Sequence, residues 1–222
     1  MATAKPVTRI KICGLRNAET ATVAAGAGAD FLGFNFVEGV RRQLQPEQGA
    51  QIIAEYKLDR ARDPSQNPGL IGLFLNQDSN WVNETSEKAG LDYVQLCGDE
   101  DDAYMARMNL PIFRQVRVKQ GTTPLDLDRL VSPHLNAGRL VLLDHYDKAT
   151  PGGSGKSFDW AIAVAVANRD CVLLAGGLNP ENVGNAIAQL TPWGVDVSSG
   201  VETDGVKDPD RIRAFISAVR NA

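Results

Sequence analysis

The stretch CVLLAGGLNPENV, residues 171–183, decides the fold of this chain. It begins with a run of large aliphatic residues, which is typical of a buried β-strand. Two glycines follow, and Asn-Pro-Glu then has the composition of a helix N-terminus. The stretch therefore predicts one strand–loop–helix unit, and such units pair their strands in parallel and cover the sheet with helices.

The same unit recurs along the chain, with Asn17 and Asp78 as candidate helix caps. Predicted strands lie at 9–15, 31–36, 69–75, 93–97, 111–118, 140–145, 171–177 and 194–200. Predicted helices lie at 17–27, 46–58, 79–89, 100–108, 125–137, 158–168, 180–190 and 208–221. This alternation of eight strands with eight helices predicts a single (β/α)8 TIM barrel. A doubly wound open sheet is the alternative, and the absence of GxGxxG after the first strand disfavours it.

Length and composition agree with one domain that spans residues 1–222. The chain is 43% hydrophobic and 23% charged, which is close to the average for globular proteins. A chain of this size buries roughly 70% of its unfolded surface, so its core needs no disulfides. The longest connection, at 57–69, is charged and contains proline and glycine. We predict a surface loop there rather than a domain boundary.

Charge and composition exclude several classes of partner. Lys and Arg number 23 against 27 Asp and Glu, and this acidic balance without a basic stripe disfavours nucleic-acid binding. No stretch approaches the roughly 20 apolar residues that cross a membrane, and the first ten residues contain no apolar signal region. Cys13, Cys97 and Cys171 form an odd, scattered set, so we expect reduced thiols and a cytoplasmic protein.

Polar side chains alternate with aliphatic ones in the predicted strands. Because successive side chains point to opposite faces, the aliphatic set packs against the helices and the polar set lines the barrel interior. Lys11 and Gln95 lie in mid-strand, where filling that interior is a sufficient role. Cys13, Asp144 and Ser198 lie at the carboxyl ends of their strands. Barrel enzymes build their active sites at that end.

Glycine-rich segments follow the last three strands, at 152–156, 175–183 and 196–202. Glycines allow backbone N–H groups to approach an anion, and barrels often bind phosphate in the loops after strands 7 and 8. A single segment of this kind is equally typical of a tight turn, but two in these strands predict a phosphate site. GGSGK, at 152–156, lacks the glycine spacing of a Walker motif.

Cys13 and Asp144 are the candidate base and acid. A thiol acts as a general base when it is partly thiolate, and Lys11 or Arg42 can favour that form. A carboxyl placed after four aliphatic residues, as Asp144 is, is costly to bury without a function or a partner. Burial would raise its pKa and make it a usable acid. The same reasoning applies to Asp196, although pairing with Lys11 explains that residue equally well.

The two histidines offer little catalytic chemistry. His145 follows Asp144 and points to the other face of its strand, and we predict a rim or packing role for it. His134 lies before the sixth predicted strand, away from the active face. We therefore predict neither a Ser-His-Asp triad nor a metal site.

Six motifs, in order, resemble the phosphoribosylanthranilate isomerase family. They are KICGL (11–15), GFNF (33–36), VQLCGDE (94–100), LLD with GGSGKSFDW (142–144 and 152–160), LLAGGLNPENV (173–183) and DVSSGVE with GVKD (196–202 and 205–208). The resemblance extends from about residue 9 to 219. It implies a (β/α)8 barrel enzyme that converts N-(5-phosphoribosyl)anthranilate into the carboxyphenylamino-deoxyribulose phosphate by an Amadori rearrangement. This is a step of tryptophan biosynthesis, and the resemblance implies that no cofactor is used.

The resemblance also implies roles for particular residues. Cys13 corresponds to the family's general base and Asp144 to its general acid. Arg42 corresponds to the residue that holds the anthranilate end of the substrate, and Asp196 to a second residue near that end. The phosphate-binding segments correspond to Gly177, Ser198 and Ser199. The expected partner is a small phosphorylated substrate, without nucleic acid or membrane, and the expected assembly is a monomer or a homodimer.

Two departures from the family pattern affect these expectations. Cys97 stands where the family usually has His, in VQLHG. The stretch EGVRRQL, at 38–44, stands where the family usually has Ser-Pro-Arg. Arg41 and Arg42 are therefore rival anchors for the substrate, and the spacing to Pro46 favours Arg42. A drifted paralogue with an altered substrate is one interpretation of these departures.

Two rival functions remain to be distinguished. The histidine-pathway isomerase performs the same rearrangement, but its site resembles a pair of Asp residues with Asp where Cys13 stands. A barrel that only binds a ligand for regulation is the non-enzymatic alternative. The presence of both Cys13 and Asp144 disfavours it, because such a barrel has no use for an acid and a base.

Overall fold

Eight parallel strands close into a barrel in the computed structural model, which describes residues 7–60, 67–145 and 160–222. The strands are β1 (Arg9–Cys13), β2 (Phe31–Asn35), β3 (Gly69–Phe74), β4 (Tyr93–Leu96), β5 (Ile112–Val118), β6 (Leu140–His145), β7 (Val172–Leu174) and β8 (Gly194–Val197). Each strand pairs with the next one in sequence, and β8 pairs with β1. The predicted (β/α)8 barrel is confirmed.

Helices cover the outside of the barrel. They are α1 (Ala18–Ala27), α2 (Pro46–Arg60), α3 (Ser79–Ala89), α4 (Asp102–Met105), α5 (Pro124–Asn136), α6 (Val183–Leu190) and α7 (Pro209–Arg220). The predicted caps hold α1 and α3: Asn17 accepts from the Thr20 backbone N–H, and Asp78 accepts from the Asn80 and Trp81 N–H groups. Within the described ranges, no helix is both long and apolar enough to cross a membrane.

Two predicted helices are shorter or of another type in the structure. The helix predicted at 100–108 is reduced to α4, and residues 106–107 then form a turn. The helix predicted at 158–168 is a 3₁₀ helix over Trp160–Ala165. Its sequence alternates Ala with Ile or Val, and β-branched residues lower helix propensity.

Several strands are shorter than predicted, and two helix boundaries differ from the prediction by two or three residues. The helix α2 continues to Arg60, so the first part of the predicted surface loop at 57–69 is helical. The helix predicted from residue 180 begins at Val183, after a turn in which the Asn179 carboxamide oxygen accepts from the N–H groups of Glu181 and Asn182. Residues 61–66 and the glycine-rich segment at 152–156 lie outside the described residues.

A short hairpin after β8 was not predicted. Its strands are β9 (Glu202–Thr203) and β10 (Val206–Lys207), joined by Asp204 and Gly205, both with positive φ. An Asp-Gly pair is a strong signal for this two-residue turn. The antiparallel register places Lys207 directly opposite Glu202. The hairpin therefore presents a cation and an anion side by side next to the barrel mouth.

The barrel interior is apolar at one end and polar at the other. Phe31, Tyr93 and Phe113 meet edge to face at the amino-terminal end of the strands. Lys11 and Gln95 lie above them and are buried. The predicted inward direction of the polar set is thus confirmed, and the aromatic layer closes the barrel below a pocket at the carboxyl end.

Candidate active site

A pocket opens at the carboxyl end of the strands, and it brings together every site residue that the sequence predicted. Those residues are Cys13, Arg42, Asp144, Gly177, Asp196, Ser198 and Ser199. Asn35, Gln95, Cys97, Gln115 and Arg117 add further polar groups to its wall. The side chains come from strands around the whole barrel, so only closure of the sheet assembles them.

Cys13 ends β1 and is buried at the pocket wall. Burial raises the pKa of its thiol, because a thiolate loses its hydration there. The Lys11 ammonium group opposes this rise most strongly, and Lys207 opposes it from further along the chain. The predicted role of Lys11 as a helper of the thiolate therefore has a physical basis.

Lys11 and Asp196 form a buried ion pair beneath Cys13. The two are register partners on β1 and β8, and Lys11 Nζ lies 2.7 Å from Asp196 Oδ1. Burial alone would lower the pKa of Lys11, but the Asp196 carboxylate more than offsets this and raises it. Lys11 is therefore a permanent cation at neutral pH. Asp196 has the structural partner that the sequence suggested, and it also lines the pocket.

Arg42 and Arg41 differ sharply in position although both contact Glu202. The Arg42 side chain is 12% exposed, lines the pocket and donates to both Glu202 oxygens, from Nε at 2.6 Å and from Nη2 at 2.8 Å. The Arg41 side chain is 53% exposed and also reaches the Gly205 carbonyl outside the pocket. Lys207 donates to Glu202 Oε1 at 2.8 Å. Glu202 thus holds three cations, and only Arg42 among them faces the pocket.

Gly14 makes room for the Arg42 side chain. A Cβ atom at Gly14 would lie 2.5 Å from Arg42 Cδ, which is far inside van der Waals contact. Gly14 also has φ of +78°, a conformation that favours glycine. The glycine of KICGL therefore allows the guanidinium to lie across the end of β1.

Glycines also allow the two glycine-rich segments that follow β7 and β8 to come into contact. A Cβ atom at Gly200 would lie 1.9 Å from the Leu178 carbonyl oxygen, so the loops after β7 and β8 touch backbone to backbone. Gly177 has φ of +70°, and its carbonyl accepts from the Asn182 side chain. The Ser198 hydroxyl donates to the Cys13 carbonyl at 3.2 Å. The segments that the sequence predicted separately therefore form one wall of the pocket.

Asp144 lies on β6, three strands around the barrel from Cys13 on β1. Gln115 on β5 donates from Nε2 to Asp144 Oδ2 at 2.6 Å. The acid and base candidates thus approach the same pocket from different sides. This arrangement suits proton donation to one atom of a ligand and proton removal from another.

Cys97, the cysteine at the family's usual histidine position, is a buried neutral thiol. Burial raises its pKa to about 12, although a hydrogen bond from Gln95 opposes the rise. The thiol is therefore protonated at neutral pH. Its backbone carbonyl accepts from Arg117 Nη2 at 2.5 Å.

Sequence reasoning missed four functional candidates. Glu202 and Lys207 lie within the DVSSGVE and GVKD motifs, and their closeness to an Asp-Gly turn was the available signal. Gln115 and Arg117 alternate with outward residues on β5, so the period of the strand places both inside. His134 lies on α5, outside the pocket wall, as predicted.

Comparison with known proteins agrees with this geometry. A family model described as N-(5'phosphoribosyl)anthranilate (PRA) isomerase matches residues 10–218. The N-(5'-phosphoribosyl)anthranilate isomerase of Dehalococcoides mccartyi is 41% identical over 221 residues, covering 96% of each chain. The structure of phosphoribosyl anthranilate isomerase from Thermotoga maritima has a TM-score of 0.81 at 32% identity, covering 97% of this chain and 100% of that one.

A phosphoribosyl anthranilate isomerase in complex with reduced 1-(o-carboxyphenylamino)-1-deoxyribulose 5-phosphate is also similar. Its TM-score is 0.78 at 30% identity, and the match covers 97% of this chain and 100% of that one. Sequence and structure similarity therefore extend over nearly the whole barrel. This chain belongs to the N-(5'-phosphoribosyl)anthranilate isomerase family and is an isomerase.

Proposed function

We propose that this pocket converts N-(5-phosphoribosyl)anthranilate into 1-(2-carboxyphenylamino)-1-deoxyribulose 5-phosphate, with Cys13 as general base and Asp144 as general acid. The observation that carries the proposal is that a thiol on β1 and a carboxyl on β6 reach one pocket whose rim holds an arginine and two glycine-rich segments. These are the groups that a substrate with a phosphate, a carboxylate and a proton to transfer requires.

The proposed reaction needs one proton donor and one proton acceptor. Asp144 protonates the furanose ring oxygen, the C1–O bond breaks, and the ring opens to a protonated Schiff base. The Cys13 thiolate then removes the proton on C2, and the electron pair of that C–H bond forms the C1–C2 double bond of an enolamine. The enolamine takes a proton at C1 and loses the proton of its C2 hydroxyl, which gives the ketone. No electrons leave the substrate, so the reaction needs no redox cofactor.

The two ends of the substrate are proposed to bind on different walls. Gly177, Ser198 and Ser199 supply the phosphate segment, and remote binding of the phosphate helps to orient the reacting carbons. Arg42 holds the anthranilate carboxylate. Glu202 occupies the Nε–Nη2 side of the guanidinium, which leaves the Nη1–Nη2 side for a second, bidentate carboxylate. Asp196 lies near that end.

Replacing Arg42 with Lys should raise KM by about 10–100-fold with a smaller change in kcat, because Lys lacks the bidentate fork and charge-assisted hydrogen bonds are worth roughly 1.5–3 kcal/mol. Arg41→Lys is the matched control, since Arg41 contacts the same Glu202 from outside the pocket. We expect its KM to stay within about twofold of the wild type. Steady-state kinetics measure both values, and the reverse ranking would assign the anchor to Arg41.

The activity itself is tested by following the loss of anthranilate fluorescence when the purified protein is mixed with phosphoribosylanthranilate. The histidine-pathway substrate serves as the control, because that reaction is the same rearrangement on a different sugar phosphate. We expect turnover of the first compound alone. Turnover of the second alone, or binding of the first without turnover, would favour one of the rival functions.

The remaining expectations stay predictions. We propose a cytoplasmic enzyme that works as a monomer or a homodimer and whose partner is its small phosphorylated substrate. Its expected independence of metal ions and cofactors also stays a prediction, and full activity after dialysis against EDTA would support the part that concerns metal ions.

A further inference from the structure

We propose that Gln115 is a positioning residue, which orients the Asp144 carboxyl for proton transfer by holding Oδ2 and leaving Oδ1 to carry the proton. The inference rests on the proposed function, because it gives Asp144 the role of general acid. Gln115 and Asp144 lie on neighbouring strands, and the register pairs Asp144 with Arg117, two residues beyond Gln115. Both side chains line the pocket.

The hydrogen bond between Gln115 and Asp144 is short and largely shielded from solvent. Gln115 Nε2 lies 2.6 Å from Asp144 Oδ2, and Gln115 is 9% exposed. An amide nitrogen only donates, so the oxygen that it contacts must act as the acceptor. Protonation of Oδ2 would oppose this hydrogen bond. The hydrogen bond from Gln115 therefore favours the acidic proton on Oδ1.

A neutral donor suits this position better than a charged one. A general acid must keep its proton until the transition state, and a cation in hydrogen-bond contact would favour the ionised carboxylate. A glutamine amide fixes the direction of the carboxyl without adding a charge. The neighbouring Arg117 donates from Nη2 to the carbonyl of Cys97, which directly follows β4. That contact directs this guanidinium toward β4.

Hydrogen-bond orientation matters because proton transfer depends steeply on geometry. A misplacement of about 1 Å at a catalytic group can cost roughly 10²-fold in rate. Without Gln115, the carboxyl of Asp144 loses the hydrogen bond at Oδ2, and the fraction of time that it spends in the productive direction falls. The phosphate segments and Arg42 lie on other parts of the wall, so binding of the substrate should change little.

The test combines two Gln115 variants with Asp144→Asn in a double-mutant cycle. Gln115→Met keeps the size of the side chain but removes the donor, and we expect kcat to fall about 10–100-fold with KM within about threefold of the wild type. Gln115→Asn keeps the amide but withdraws it by about 1.5 Å, and it should lose a similar factor. If thermal melting shows that Gln115→Met does not fold, Gln115→Asn provides the test in its place.

The cycle separates positioning of Asp144 from a general effect on the pocket. In the Asp144→Asn background, Gln115→Met should cost no more than about twofold in kcat, because no acid remains to be oriented. An equal loss in both backgrounds, or wild-type kcat in both single Gln115 variants, would overturn the inference while leaving Asp144 as the acid. Near wild-type kcat in Asp144→Asn would instead overturn the general-acid assignment, and this inference with it.

Discussion

Cys13→Ser should lower kcat by about 10²–10⁴-fold, which is the usual contribution of general base catalysis. Serine has nearly the shape of cysteine, but its hydroxyl is a far weaker acid and does not ionise at neutral pH. The variant should fold and bind product as the wild type does, because the side chain changes by one atom. Steady-state kinetics and product titration separate these effects, since only kcat depends on the proton acceptor.

The thiolate of Cys13 depends on its neighbours. Burial raises the pKa of this thiol, and the Lys11 and Lys207 ammonium groups oppose that rise. Because only the thiolate reacts with iodoacetamide, inactivation should accelerate as the pH increases toward the pKa of Cys13. A phosphorylated product analogue should protect the enzyme.

Cys171→Ser is the matched control for Cys13→Ser. Cys171 precedes β7 at the opposite end of the barrel from the pocket and is partly exposed, so it also reacts with alkylating reagents. Its replacement should leave kcat within about twofold of the wild type. In the Cys171→Ser protein, alkylation of the buried thiols can also be followed without a signal from Cys171. A Cys13→Ser variant that keeps more than about a tenth of wild-type kcat would show that another group removes the proton.

Asp144→Asn should also lower kcat by about 10²–10⁴-fold, because an amide has no acidic proton to give to the ring oxygen. The substitution preserves shape, and the Asn carbonyl can still accept the hydrogen bond that Gln115 donates to Oδ2. KM should change by less than about fivefold, since the proposed binding groups lie elsewhere on the wall. Steady-state kinetics with phosphoribosylanthranilate measure both constants.

Asp99→Asn is the control for removal of a carboxylate near the barrel mouth. Asp99 follows β4, is exposed and lies outside the pocket that holds Cys13 and Asp144. We expect its kcat within about twofold of the wild type. If Asp144→Asn and Asp99→Asn gave similar small losses, the proton donor would have to be sought among the other groups of the pocket.

Cys13→Ser and Asp144→Asn affect different halves of the reaction. Asp144 acts in ring opening and Cys13 in removal of the C2 proton, so each substitution should block the reaction at a different step. A substrate analogue that already has an open chain bypasses ring opening. It should restore part of the rate to Asp144→Asn and none to Cys13→Ser, which tests the order of the two steps.

Local sequence patterns were sufficient for the architecture. Runs of aliphatic residues, glycine turns and caps such as Asn17 and Asp78 act within a few residues of one another. Side-chain alternation is equally local, so the inward direction of Cys13, Asp144 and Asp196 followed from the strand period. Because parallel barrel strands end at one rim, placement at a strand end was enough to predict that these groups meet.

Tertiary structure decided how most of the groups are paired, although the sequence had already suggested Lys11 as a partner of Asp196. Arg41 and Arg42 are adjacent in sequence and both contact Glu202, 160 residues beyond Arg42, and only the fold shows that Arg42 is the one that faces the pocket. Lys11 meets Asp196 across 185 residues, and Gln115 meets Asp144 across 29. The sequence by itself determined which residue types stand at the barrel mouth, because strand period and turn chemistry are local. Partnerships between them appear only when β8 closes against β1, since hydrogen bonds and ion pairs depend on distances in space rather than along the chain.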